Sequence, residues 1–216
     1  MISENVLITK KTGRYYSLGE GNIYTKNIWF VFHGYGQLAK EFIKEFEVLK
    51  NDGTLIVAPE ALNKFYFRGF NGKIGASWMT KENRENEIKD YIDFISQVFH
   101  ETTNKIDLSS ITINVLGFSQ GTHTAVRWLS KTKIQVDNLI LWSGSFPRDC
   151  NYDNFEYWSK IKSKIVVGKK DRMIDEEKSK SEVDYFDHQG LEIKIIKFDG
   201  GHEIKKDLLK KISTSI

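Results

Sequence analysis

Strands and helices alternating along 216 residues predict an α/β fold, a mostly parallel sheet covered by helices on both faces. Three observations carry that prediction. Apolar runs such as 28–32 and 139–142 lack polar alternation, as strands buried on both faces do. Longer stretches between such runs repeat apolar residues at helical spacing: Ile88, Tyr91, Ile92, Ile95, Val98 and Phe99 mark one face of 81–103, with charges opposite. A Gly-x-Ser-x-Gly sequence, Gly117-Phe118-Ser119-Gln120-Gly121, lies between one strand pattern and one helix pattern.

Residues 6–9 and 14–18 flank Lys10 to Gly13 and suggest a short hairpin at a sheet edge. The first buried strand is 28–32, followed by a turn at His33-Gly34-Tyr35-Gly36. Leu38, Phe42, Phe46 and Leu49 give the next segment one apolar helical face, ending near 51–53. Residues 55–58 form a second buried strand stopped by Pro59. From 61 to 78 glycines and aromatics alternate irregularly, the composition of a loop that walls a pocket. The helix 81–103 leads to a strand at 111–116, where Ile111, Ile113 and Val115 alternate with Thr112 and Asn114. Thr122, Ala125, Val126 and Leu129 mark the helix 122–130, and 139–142 and 165–168 are two further buried strands. The connection between these holds a short helix at 154–160. A helix at 176–188, a strand at 193–198 and a helix at 203–211 complete the chain, with Lys194 and Lys197 marking that strand as a sheet edge.

Composition bounds what such a chain does. Its length suits one domain, residues 1–216, with a sizeable core, and no repeat or linker divides it. Thirty-two basic against 29 acidic residues, scattered along the chain, give no charge stripe for nucleic acid. One cysteine, Cys150, leaves no disulfide framework and fits a reducing compartment. With no h-region at 1–11 and no apolar run near the roughly 18 residues that span a bilayer, the expectation is a soluble cytoplasmic protein without stable membrane association. The oligomeric state is left open.

A serine at a sharp strand-to-helix turn is held in strained backbone, so the residues two away must be small, and here both are glycine. Its hydroxyl then stands clear of the sheet, and the N–H of Gln120 at the helix start can stabilise an oxyanion. Such an elbow requires an acid and then a histidine later in the chain. Functional residues of open α/β sheets lie in the loops beyond the strand carboxyl ends. Asp171 follows the strand ending at Gly168, and His202 follows the strand ending at Phe198. Ser119, Asp171 and His202 satisfy the order, with Asp175 and Asp199 as competing acids. His123 points along the helix flank, His100 and His188 sit near helix ends, and His33 shapes its turn rather than carrying protons. Tyr35, with a glycine on either side, offers the second oxyanion N–H. Phe67, Trp78, Phe146 and Met173 are candidate walls of an apolar substrate pocket.

The matching pieces FHGYG at 32–36, APEA at 58–61, GASW at 75–78, GFSQG at 117–121, GKKD at 168–171 and GGH at 200–202 resemble the phospholipase/carboxylesterase family of α/β-hydrolases. That family includes small bacterial carboxylesterases and acyl-protein thioesterases. The resemblance implies a serine esterase that uses no metal or cofactor, with Ser119, Asp171 and His202 as its triad and Tyr35 and Gln120 as oxyanion donors. Family members commonly carry a proline and valines after the catalytic aspartate, where this chain reads Arg172-Met173-Ile174-Asp175. Only 143–163 joins two neighbouring strands where lipid-acting relatives insert a lid, so none is expected. The expected substrate is a small ester of short to medium acyl length. The same residues would serve a thioesterase or lysophospholipase, and an idle α/β-hydrolase that only binds a small ligand is the competing class.

Overall fold

The computed structural model describes residues 1–174, 176–187 and 191–215. Asp175 and His188 lie outside the described residues. Seven strands form one sheet in the order β1-β3-β2-β6-β7-β8-β9: β1 Tyr15–Leu18, β2 Asn27–Phe32, β3 Thr54–Pro59, β6 Thr112–Phe118, β7 Asn138–Trp142, β8 Lys162–Gly168 and β9 Ile193–Phe198. Six of them are parallel, and only β1 runs antiparallel, against β3. The lysine-bearing β9 is at one edge, as its sequence suggests.

Strand alternation divides the core in two. Ile28, Phe30 and Phe32 of β2 face one side, packing with apolar residues of α2 (Arg84–Thr103) and α3 (Gln120–Thr132). Trp29 and Val31 face the other, against Phe42 and Ile43 of the next helical segment and Leu209 and Ile212 of α6 (Lys206–Thr214). Both faces being covered explains why these strands show no polar period.

Local differences from the sequence reading have physical causes. The first hairpin does not form: 6–9 carry no strand, and β1 pairs instead with β3, where Arg14 and Lys64 reach the buried carboxylate of Glu60 at 2.6 and 3.2 Å. The segment after β2 breaks into α1 (Ala39–Phe42) and a 3₁₀ helix (Ile43–Leu49) that still buries Phe42, Phe46 and Leu49. The stretch 61–78 is not irregular throughout, because β4 (Asn63–Tyr66) and β5 (Ile74–Ser77) pair as a hairpin. β3 stops at Pro59 as expected but includes it as its last residue, opposite Tyr15 on the edge side. The connection from β7 to β8 holds only α4 (Phe155–Trp158), whose Tyr157 and Trp158 are buried in the core. It carries no inserted lid. α5 (Glu176–Asp187) and α6 follow where the sequence places helices, α6 starting three residues later than expected.

Candidate active site

The chain leaves β6 through Ser119, which has φ 53° and ψ −118°, a conformation L-residues rarely adopt. Two glycines make it possible. A Cβ on Gly117 would strike the Gly121 carbonyl and Thr122 Cα, and one on Gly121 would strike the Phe32 carbonyl of β2. Ser119 is anchored through its own N–H, which donates to the Trp142 carbonyl at 2.9 Å. The strain is therefore held by neighbouring strands, not by the turn alone.

The turn after β2 lies directly against this serine, since a Cβ on Gly34 would stand 3.2 Å from Ser119 Cβ. Gly34 N–H donates to Gln37 Oε1 at 2.7 Å and Gly36 N–H to the Ala76 carbonyl at 2.8 Å, fixing the turn at both ends. No hydrogen bond among the described residues takes up the intervening Tyr35 N–H. The Gln120 N–H belongs to the first turn of α3, whose donors have no intrahelical partner. The Gln120 side chain is occupied, accepting from Trp78 N–H at 3.1 Å and donating to the Met79 carbonyl at 2.9 Å.

His33 shapes this turn, as the sequence suggests. It is fully buried, its Nδ1 meets the Gly34 carbonyl at 2.8 Å, and the Ala61 N–H meets its Nε2 at 3.1 Å. Only a neutral ring protonated at Nδ1 can satisfy both partners. Burial pushes its pKa down to about 4.

Parallel pairing of β8 and β9 puts Gly168 opposite Phe198 and zips the two following loops together. Lys170 N–H donates to the Gly200 carbonyl and Lys169 N–H to that of Phe198, both at 2.9 Å. Across this junction Asp171 Oδ2 accepts from His202 Nδ1 at 2.8 Å, while Oδ1 accepts from Met173 N–H at 2.9 Å. Burial raises the Asp171 pKa, but bonds from Met173 N–H and His202, with help from Ser143, outweigh it and hold the carboxyl below its usual range. Ser143 is buried in left-handed backbone at φ 50°; its hydroxyl lies beside this carboxylate but outside full hydrogen-bond geometry.

The competing acid Asp199 points elsewhere, exposed and paired with Lys170 at 2.8 Å. The His202 ring packs against Phe118, the residue before Ser119, at 5.0 Å between centroids, and its loop is pinned by Trp142 Nε1 donating to the Glu203 carbonyl at 2.8 Å. With Nδ1 committed to Asp171, Nε2 is the ring nitrogen left free for chemistry.

The pattern of a family described as serine hydrolase (FSH1) matches residues 24–210. The chain belongs to this serine hydrolase family. No curated protein matches the sequence. Among solved structures, acyl-protein thioesterase 2 of Zea mays is 16% identical, with 94% of this chain covering 99% of that one at a TM-score of 0.68. A carboxylesterase of Mesorhizobium loti is 16% identical over 98% of this chain and 99% of that one, TM-score 0.69. The Bacillus cereus carboxylesterase is 14% identical over 94% and 92%, TM-score 0.68. This serine hydrolase therefore has the α/β-hydrolase fold.

Of the four wall candidates, Phe146 and Met173 line a cavity of about 930 Å³ beside α3. Phe67 packs over Gly36 at the turn that carries Tyr35, edge-on to Phe65 at 5.1 Å. Trp78 is not a wall: it is 1% exposed, its indole N–H donates to the His33 carbonyl at 2.8 Å, and it packs edge-on to Phe32. An aromatic amid glycines reads as a loop residue, but Trp78 directly follows the buried end of β5 and packs into the core.

Sequence reasoning missed the partners that hold the turn, Gln37 and the Gln120 side chain, because amides carry no periodic signal. It also missed a cluster of Arg84, Arg127 and Asp149, three positions far apart in sequence. The one trace available was the spacing of His123 and Arg127, four residues apart on one face of α3.

Proposed function

We propose that this serine hydrolase cleaves carboxylic esters of short to medium acyl length through an acyl-enzyme, as a soluble cytoplasmic protein of one domain acting on small-molecule esters. The hydrogen bond of His202 Nδ1 to Asp171 supports the reading best, because it leaves Nε2 available for proton transfer on a ring that packs against Phe118, the residue before the strained Ser119. His202 takes the Ser119 proton as the hydroxyl attacks the ester carbonyl, and the tetrahedral oxyanion is received by the N–H groups of Tyr35 and Gln120. The protonated His202 gives its proton to the departing alcohol, leaving Ser119 acylated. Water then attacks the acyl-enzyme with His202 again as base, releasing the acid and the free serine. Asp171 holds the imidazole in one tautomer and stabilises the imidazolium.

No helix among the described residues is long and apolar enough to cross a membrane, which is in keeping with a soluble enzyme. Fluorophosphonate labelling coupled to hydrolysis of nitrophenyl esters tests the proposal. The protein should label at Ser119 and turn over the esters. A protein that takes up no probe while folded would be an idle binder.

A further inference from the structure

The cavity beside α3 continues the candidate active site in a definite direction. His123 and Arg127 lie one turn apart on α3, which starts at the residue after Ser119, and a rise of about 1.5 Å per residue puts the Arg127 backbone on the order of 12 Å beyond Ser119. His123 and Arg127 line the cavity together with Phe146, Ser145 and Met173. Its near end adjoins the site at two points: Met173 donates to Asp171, and Met79, also in the lining, holds Gln120. The middle is apolar, from Phe146 and Met173.

The far end is cationic. The described residues that line it include three arginines, Arg84, Arg127 and Arg148, and one acid, Asp149. Asp149 Oδ2 takes Arg84 Nη2 at 2.8 Å and its Oδ1 takes Arg127 Nη2 at 3.0 Å, although the Arg127 side chain is only 7% exposed. A guanidinium carries five donors, so one carboxylate does not saturate two of them. Burial raises the Asp149 pKa, yet the bonds from Arg127 and Arg84 bring it to about 2, so the acid is already charged and fully committed. Burial, then the charge of Arg127, push His123 down to about 4, leaving it a neutral donor or acceptor toward Ser145 Oγ at 3.3 Å. Arg84 is shared between Asp149 and the exposed Glu85, at 2.8 Å from each, and Glu85 does not line the cavity. Among the described lining residues three guanidiniums thus stand against the single carboxylate of Asp149.

Resting on the assignment of Ser119 as nucleophile, we propose that this cavity selects esters bearing a second, free carboxylate on the order of 10 Å from the scissile carbonyl. The apolar middle takes the methylene chain, and the guanidinium donors of Arg84 and Arg127, helped by Arg148, bind the carboxylate through charge-assisted hydrogen bonds. The carboxylate belongs either to the acyl part, as in a dicarboxylic acid monoester, or to the alcohol part, as in an ester of an ω-hydroxy acid.

Two series of rising chain length separate these sources, each paired with neutral esters of equal length: mono-nitrophenyl dicarboxylates for the acyl side, and acetyl esters of ω-hydroxy acids for the alcohol side. In one series the ratio of kcat/KM, anionic over neutral, should peak at intermediate length at about tenfold or more. Arg84→Gln and Arg148→Gln should each lower that ratio severalfold, whereas Asp149→Asn, which removes the one carboxylate charge among the described lining residues, should not lower it. Neutral esters preferred at every length in both series would overturn the proposal. So would an Arg84→Gln variant whose ratio is unchanged because both substrates suffer alike, as a purely structural clamp predicts. Absence of Ser119-dependent turnover of any ester would instead overturn the nucleophile assignment, so the two failures are distinct.

Discussion

Ser119 is the one non-glycine residue whose backbone strain coincides with a candidate nucleophile, and the proposal concentrates the chemistry there. Ser119→Ala should fold normally and lose ester turnover by a factor on the order of 10⁶; residual activity within tenfold of the parent would remove the elbow from the mechanism. Asp171→Asn should cost roughly 10⁴ in kcat, since an amide favours the wrong imidazole tautomer. Asp199→Asn, which breaks only an exposed pair with Lys170, should cost almost nothing. The reverse ranking would move the acid. His33 makes a stability prediction. Its pKa is about 4 in the folded protein against an ordinary value of 6.5, so between those values the unfolded chain binds a proton that the folded chain refuses. Stability is therefore full above about pH 6.5 and declines as pH falls toward 4, with His123 adding in the same sense. Urea titrations at pH 7 and pH 5 check this, and an unchanged midpoint would contradict a neutral buried His33.

The elements that matter most are β6 and α3 with the junction between them. α3 starts against β2 so closely that a side chain at Gly121 has no space, which is why the helix N-terminus can reach the turn bearing Tyr35. Gly121→Ala should destabilise the protein by up to about 3 kcal/mol through backbone displacement, and activity should fall more than stability at permissive temperature because Ser119 moves with the helix. Denaturant midpoints and kcat measured on the same preparation decide the matter; a variant as stable and active as the parent would mean the close approach is not required. The loops after β8 and β9 show the same logic. Each has an unremarkable sequence, and their alignment comes from the parallel register that places Gly168 beside Phe198.

For the whole molecule, the route to the site follows from the short β7–β8 connection, which holds α4 as its one helix, and from Ser119, which is part-exposed. Hydrolysis of soluble short-chain esters should rise smoothly with concentration and show no jump where the substrate starts to aggregate. Negligible turnover of monomeric ester followed by a steep climb above the critical micelle concentration would reveal an interfacial switch.

The sequence alone determined the parallel sheet, the elbow at Gly117 to Gly121 and the order of Ser119, Asp171 and His202, because those depend on local periodicity and on residues whose backbone freedom is distinctive. It favoured Asp171 over Asp199 but held no geometry to part them: both follow strands, and the pairing of β8 with β9 turns one toward His202 and the other toward Lys170. The same holds for the lost hairpin at 6–9, the one gained at 63–77, the burial of Trp78, and the meeting of Arg84, Arg127 and Asp149. Each is decided by which distant segment is available to pair with or cover a residue. That choice is settled by competition among non-local contacts, which a reading of local pattern does not contain.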